Sequence, residues 1–109
     1  METTKPQFDK ELIDFGQVQV GKKLRAIFTL LDDNIIENVK TGCGCTNAQI
    51  SNNRKSITVN YTAEQIPHHL LQQGFFRILK SVDAIVLNPT NKHKQTIKLQ
   101  FKAEIHKNL

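Results

Sequence analysis

Alternation of apolar and polar residues dominates this chain and is clearest near its C-terminus. In the segment TIKLQFKAEI, every second residue from position 97 to position 105 is apolar, and the residues between them include Lys98 and Lys102. A period of two is typical of a strand with one buried face and one face in water. The segment SITVNY has the same pattern, so we predict another strand there.

The segment near the N-terminus has the same period but changes phase once. Ile13 and Phe15 share one face, whereas Val18 and Val20 share the other, and Gly16 lies between the two pairs. A β-bulge or a bend at Gly16 would return both pairs to the core side, because a bulge adds one residue to a strand and glycine tolerates its backbone geometry. We therefore predict a bulge or bend at Gly16.

Other strand segments have a less regular phase. In KLRAIFTLL, Ile27 and Leu31 interrupt the polar face, so this strand is expected to be covered on both sides. In FFRILKSVDAIVL, Phe75 and Leu79 are out of phase with three neighbouring apolar residues, which predicts an irregularity or two covered faces; these three are Phe76, Ile78 and Val82. The segment IIENV predicts a further short strand.

The segment IPHHLLQQG predicts a helix of about two turns. Pro67 suits the first position of a helix and Gly74 its C-terminal end, while Ile66, Leu70 and Leu71 form an apolar stripe. Polar turns at residues 32–34, 51–54 and 88–91 separate the strand segments. About six to eight short strands with such turns predict a single-domain β-sandwich or barrel.

Composition narrows the class of protein without identifying a function. The chain has 109 residues and a formal charge of +5, from 15 basic and 10 acidic residues that form no long block of one sign. This excess favours acidic partners without requiring them. The N-terminus has no apolar signal-peptide region, and no segment approaches the roughly 18 apolar residues of a membrane span. We expect a soluble protein with neither feature.

Two segments, IDFGQVQVGKKLRAIFTL and IIENVKTGCGCTNAQI, resemble a bacterial Ig-like domain family of unknown function with FDFG and CGCT motifs. That family is similar to the ASH and major-sperm-protein-like branch of immunoglobulin-type sandwiches. The resemblance covers residues 12–105. The motif residues, to which it assigns a structural role, are Asp14, Phe15, Gly16, Cys43, Gly44, Cys45 and Thr46.

The resemblance implies an all-β fold, an immunoglobulin-like β-sandwich of about seven strands with one short inserted helix. It divides the chain into an N-terminal extension (residues 1–11), the sandwich domain (12–106) and a C-terminal tail (107–109). The family has no assigned catalysis, so no functional residue follows from it. By analogy, a compact module of this type suggests an accessory or structural component of a phage virion or similar assembly, in the virion or the cytoplasm.

Cys43 and Cys45 are the most reactive residue types in the chain, and several roles fit them. In an extended strand they would share one face with Cα atoms about 6.5 Å apart. A disulfide prefers about 5.5–6 Å, and Gly44 would permit the bend that brings the thiols closer. The alternatives are a strained disulfide, a thiol redox or metal-binding site, and two thiols packed at a sharp turn. We expect packed thiols.

Neither a metal centre nor an active site is expected. Zinc needs about four ligands, and beyond the two cysteines only the four histidines are candidates. Glu64 and Asp83 stand alone among the carboxylates, and the chain lacks a nucleophile elbow, a phosphate loop and a metalloprotease motif. We therefore expect no catalytic residue, metal or cofactor, and a protein that is not an enzyme.

Contact with protein partners in a larger assembly is the expected function. Lys98 and Lys102 on the last strand and Leu70 and Leu71 in the inserted segment are the candidate contact residues, although that segment could instead close one end of the core. Open sheet edges are further candidates. Basic residues cluster near three turns and would form one electropositive patch if those turns shared one end. Nucleic-acid binding stays an alternative, but no aromatic platform accompanies these residues.

Overall fold

The computed structural model describes residues 5–42 and 46–108. Over these residues the protein is an all-β sandwich of seven strands with one short inserted helix, which confirms the predicted fold class. Its strands are β1 (Leu12–Gln19), β2 (Lys23–Thr29), β3 (Ile35–Thr41), β4 (Thr46–Ile50), β5 (Ser56–Thr62), β6 (Phe75–Leu87) and β7 (Lys94–His106).

Two sheets face each other across the core. One has the strand order β1-β7-β6-β3 and the other has the order β2-β5-β4. All neighbouring strands are antiparallel except β1 and β7, which are parallel. This order is that of an immunoglobulin constant-type sandwich, except that the first strand lies beside the last one.

Alternate residues of both sheets fill the space between them. Phe28 and Ile57 come from the three-stranded sheet, and Leu99, Phe101 and Ile105 come from β7; each is at most 1% exposed. Because the side-chain period of a strand is two, this packing turns the polar residues of β7 outward. The predicted buried face of the last strand is therefore confirmed.

The predicted bulge in β1 is also confirmed. The register of β1 against β7 shifts between Asp14 and Gln17, and Gly16 has a φ of +70°. A side chain at that φ would be strained, so glycine suits the position. On either side of the bulge, Phe15 packs against the core and Val18 is buried, as the two-phase pattern predicts.

The predictions for the phases of β2 and β6 are wrong. Ile27 and Leu31 are 45% and 63% exposed, so the strand that contains Ile27 is covered on one side only. β6 is one continuous strand of 13 residues whose register against β7 does not shift, and the shift in its pairing with β3 lies on β3, between Ile36 and Asn38. Leu79 on the outer face of β6 is 60% exposed. The reason is that a two-layer sandwich leaves the outer face of each sheet in water.

The inserted helix is shorter than the predicted two turns. Only His68–Leu70 forms a 3₁₀ helix, Pro67 precedes it with an extended ψ of 143°, and no residue of the helix is buried. Ile66, just before it, is buried. An apolar stripe that has no core to face does not stabilise further helical turns, because short helices depend on tertiary packing.

The described part of the predicted N-terminal extension is attached to the three-stranded sheet. Phe8 is buried in the core and forms an isolated bridge with Leu30. The backbone N–H of Asp9 donates to the carbonyl of Thr29 at 2.8 Å, and the Asp9 carboxylate accepts the N–H of Thr29 at 2.9 Å. These bonds pair the segment with the end of β2, whereas residues 23–28 have no second strand beside them within the described part of the chain.

Candidate functional site

The CGCT motif (residues 43–46), which contains both thiols, lies largely outside the described residues. Cys43, Gly44 and Cys45 fall in the gap between residues 42 and 46. Thr46, which follows them, is buried and begins β4 opposite Tyr61. The roles considered for the two thiols therefore remain predictions. Within residues 5–42 and 46–108, no three His, Cys, Asp or Glu side chains are grouped so that they could hold a metal ion.

The second motif, Asp14-Phe15-Gly16, forms the bulge of β1. One carboxylate oxygen of Asp14 accepts the backbone N–H of Gly16 at 2.8 Å. This local bond supports the bulge, since Asp side chains commonly bond to the backbone two residues later. Phe15 packs edge-to-face on Phe101, with 5.9 Å between the ring centroids. Asp14, Phe15 and Gly16 therefore form a structural corner, in which the Asp14 carboxylate supports the bulge and Phe15 packs on the core.

An exposed apolar residue lies amid charges on the outer face of the four-stranded sheet. Leu79 pairs across the strands with Lys102, which in turn pairs with Asp14. Leu12 is 47% exposed on the same face. We define the Leu79 face as this outer surface, formed by Leu12, Asp14, Arg77, Leu79, Lys102 and Glu104.

The charges of the Leu79 face are paired with one another. Arg77 Nε lies 3.1 Å from Glu104 Oε2, and Lys102 Nζ lies 3.8 Å from Asp14 Oδ2. The hydrogen bond between His106 and Glu104, at 2.7 Å, is the largest cause that lowers the pKa of Glu104, and Arg77 lowers it further. A depression of about 230 Å³ lies between these groups, beside the bulge of β1.

The structure brings two of the four predicted contact residues onto one surface. Lys98 and Lys102 both lie on the outer face of β7, and Lys98 pairs across the strands with Asp83. Leu71 is exposed and Leu70 half-buried, and both lie at the end of the sandwich where β6 begins. Leu71 lines a small depression together with Val20, Ile66 and Lys107 there.

A polar cluster at the edge of the core was missed by the sequence analysis. The hydroxyl of Tyr61 donates to Glu64 Oε1 at 2.7 Å, and Lys80 Nζ lies 3.2 Å from the same oxygen. The prediction that Glu64 stands alone is therefore wrong. The sequence did contain a signal for this cluster. Lys80 lies on the same face of β6 as the buried Ile78 and Val82, because the three are alternate residues of that strand.

The cluster changes the acidity of both of its acidic groups. Burial is the main cause that raises the pKa of the Tyr61 hydroxyl, and the bond to Glu64 raises it further. The bond from Tyr61 is the main cause that lowers the pKa of Glu64; partial burial opposes the shift and Lys80 adds to it. Glu64 therefore accepts the hydrogen bond as a carboxylate at neutral pH.

Replacement of Glu64 by Gln is expected to lower stability at neutral pH and to have less effect in acid. A carboxyl group whose pKa is lowered by folding contributes stability above its unfolded pKa of about 4.3 and loses it as the pH falls through the folded value. The Glu64 side chain is 42% exposed, so solvent screening limits the effect to about 0.5 kcal/mol. Urea unfolding of both proteins between pH 7 and about pH 3 measures this difference. A gap that widens in acid would contradict the assignment.

The basic turns do not form one patch. Lys23 pairs with Thr62 at one end of β2, whereas Thr29 and Ser56 pair at the other end, next to the turn that holds Arg54 and Lys55. Lys55 Nζ donates to the carbonyl of Asp32 at 2.6 Å, and Arg54 donates to the carbonyl of Ile36 at 3.2 Å. The basic turns are therefore divided between opposite ends, and two of their cations hold the backbone of neighbouring turns.

No helix in the described part of the chain is long and apolar enough to cross a membrane.

Comparison with known proteins gives a family and a similar fold. A family model described as "Protein of unknown function (DUF1573)" matches residues 6–73. The search of curated proteins gives no significant match.

A solved structure supports the fold alone. It is titled "Crystal structure of protein of unknown function from Porphyromonas gingivalis W83", and it is similar to this chain with a TM-score of 0.57 and 16% sequence identity. The similarity covers 91% of this chain and 46% of that one, so this chain spans about half the length of that relative.

Proposed function

This chain belongs to the DUF1573 family, whose function is unknown, and we propose that it is a non-enzymatic module that binds other proteins. The single observation that carries the proposal is the exposure of Leu79, which is 60% exposed among ion-paired side chains of a sheet face. An exposed leucine by itself is common on protein surfaces. Its position between two ion pairs is what distinguishes this one.

The arrangement of the Leu79 face resembles the anatomy of protein interfaces. Such interfaces combine an apolar centre with a polar rim, and arginine is enriched in them. Here Leu79 has Arg77 beside it on the same strand and Lys102 beside it on β7. Because these cations are already paired with Glu104 and Asp14, a partner can cover the face without leaving a charge unpaired.

Part of the strand that carries Leu79 is also an open edge. β3 pairs with β6 only over residues 82–87, so residues 75–81 pair with β7 alone within the described part of the chain. An open edge can accept a strand from a partner, whose backbone groups complete the ladder. The edge and the exposed leucine support one contact region rather than two.

In this proposal the chain acts as an accessory or structural component of a larger assembly, such as a phage virion, and lies in the virion or the cytoplasm. The proposal is supported by the interface character of the Leu79 face. The Leu12–Gln19 strand and its motif residues then serve as a scaffold that positions this face.

We expect the chain to co-sediment with a larger particle. Lysate from the source cells is separated by velocity sedimentation at low and at physiological salt, and the chain is followed by immunoblot. We expect a substantial fraction in the fast-sedimenting pool, with purified chain run alone as the control. A chain that sediments only as the purified monomer under both conditions would contradict the assembly role.

A further inference from the structure

The outer face of the three-stranded sheet has a different electrostatic character from the Leu79 face. Its strand positions carry two cations and otherwise neutral side chains, with no carboxylate. From β2, β5 and β4 these residues are Lys23, Arg25, Ile27, Thr29, Ser56, Thr58, Asn60, Thr62, Asn47 and Gln49.

The two cations of this face, Lys23 and Arg25, have no acidic partner among the residues that the structure describes. None of the ion pairs formed within residues 5–42 and 46–108 involves Lys23 or Arg25. On the Leu79 face, by contrast, Lys102 and Arg77 are each paired with a carboxylate. The cations of β2 are therefore available for carboxylates from outside the chain.

The space above these cations is open and lined by hydrogen-bonding groups. A surface depression of about 630 Å³ lies over Lys23, Arg25 and Thr62 and extends to Asn60 and Asn47. Arg25 pairs across the strands with Asn60, which pairs with Asn47, so one guanidinium and two amides form a row across the sheet. A guanidinium binds a carboxylate with two parallel hydrogen bonds, and the amides can donate to a third oxygen.

The spacing along β2 indicates the form of the ligand. Lys23, Arg25 and Ile27 are alternate residues of one strand, so neighbouring positions are about 6.8 Å apart. An extended peptide has the same repeat. Residues 23–28 have no strand on their outer side in the described part of the chain, so the peptide could also bond to the backbone of β2.

We propose that the outer edge of β2 binds an extended acidic segment of a partner protein, with carboxylates two residues apart that pair with Lys23 and Arg25. The next alternate residue of the segment is apolar and packs on Ile27, which is 45% exposed. This surface lies on the sheet opposite the Leu79 face. The inference does not depend on the function proposed for the Leu79 face.

The test uses a defined peptide, because the partner is unidentified. The probe is a capped peptide Thr-Glu-Thr-Glu-Thr-Val-Thr, and its counterpart has Gln in place of both Glu residues. Binding to the full chain is measured by titration calorimetry at low and at high salt. We expect the acidic peptide to bind, at least tenfold more tightly than the Gln peptide and more weakly at high salt.

Charge-matched variants separate the site from the overall charge. The Lys23→Gln, Arg25→Gln protein should bind the acidic peptide at least tenfold more weakly than the unmodified chain. The Lys40→Gln, Lys98→Gln protein loses the same two charges from the other sheet and should bind within about twofold of the unmodified chain. Equal losses in both variants would mean attraction to the net charge and would overturn the proposal.

Two further outcomes decide the kind of ligand and the binding mode. Strand addition should slow amide hydrogen exchange within residues 23–28, which binding by side chains alone would not do.

A single-stranded oligonucleotide of equal charge that binds more tightly than the peptide would assign the face to nucleic acid instead. No binding of the acidic peptide to the unmodified chain would also overturn the proposal. Leu79→Asp should leave the peptide affinity unchanged.

Discussion

Replacement of Phe101 by Ala is expected to lower the free energy of unfolding by about 3–5 kcal/mol. Phe101 is 1% exposed on β7, in the middle of the larger sheet. Its ring contacts two aromatic neighbours, Phe15 at 5.9 Å and Tyr61 at 5.4 Å between centroids. Removal of the ring loses its burial and leaves a cavity between the sheets that rigid strands cannot close.

The measurement is equilibrium unfolding in urea, with Phe75→Ala as the control. Phe75 is also on the four-stranded sheet but lies on its outer face, where it stacks on His106 at 5.3 Å. Its loss should cost about 1 kcal/mol or less, because a partly buried ring on the outer face leaves no internal cavity. If Phe101→Ala fails to fold, Phe101→Leu retains part of the volume and should still cost more than the control. Equal effects of both positions would contradict the assigned core.

Replacement of Leu79 by Asp is expected to abolish most of the association with the larger assembly while leaving the fold intact. A central interface residue contributes about 2 kcal/mol or more when truncated, which corresponds to roughly a thirtyfold loss of affinity. The buried charge adds to this loss in the complex. In the free chain the side chain is exposed, so stability should change by about 0.5 kcal/mol or less.

Leu31→Asp is the matched control, since Leu31 is 63% exposed, has the same side chain and lies next to β2 rather than on the Leu79 face. The measurement is the fraction of each variant in the fast-sedimenting pool, together with its thermal midpoint. We expect Leu31→Asp to sediment like the unmodified chain. If both variants leave the pool equally, or if neither does, the Leu79 face is not the contact surface.

The bulge in β1 shows how far local patterns extend. The phase change around Gly16 was visible in the sequence, because apolar residues on both sides of a bulge must still face the core. The register shift between Asp14 and Gln17 confirms it. The same reasoning gave the buried face of β7, since strict alternation over a strand leaves one choice of face.

The inserted segment shows where the same reasoning stops. Pro67, Gly74 and three apolar residues predicted a helix of two turns, yet only three residues are helical. The apolar spacing assumed a core surface beside the helix, and only Ile66 is buried there. Helix length in such a segment depends on tertiary packing, which local propensity does not report.

The candidate sites depend on residues that are distant in the chain. Glu64 is stabilised by Lys80 because β6 turns that lysine inward, and Lys102 meets Asp14 because β1 lies beside β7. Neither pairing follows from sequence spacing. That Lys23 and Arg25 form no ion pair with another described residue is likewise a property of the whole sheet, since it requires that no acidic residue lies on the outer face of the neighbouring strands.

The sequence by itself determined the all-β class, most strand positions, the bulge at Gly16 and the buried face of the regular strands. These features depend on side-chain period and backbone sterics, which act within a few residues. The tertiary structure alone decided that Leu79 is exposed, that the basic turns lie at opposite ends, and that Lys23 and Arg25 form no ion pair within the described part of the chain. These features depend on which strands become neighbours, because exposure and charge pairing are set by contacts between distant parts of the chain.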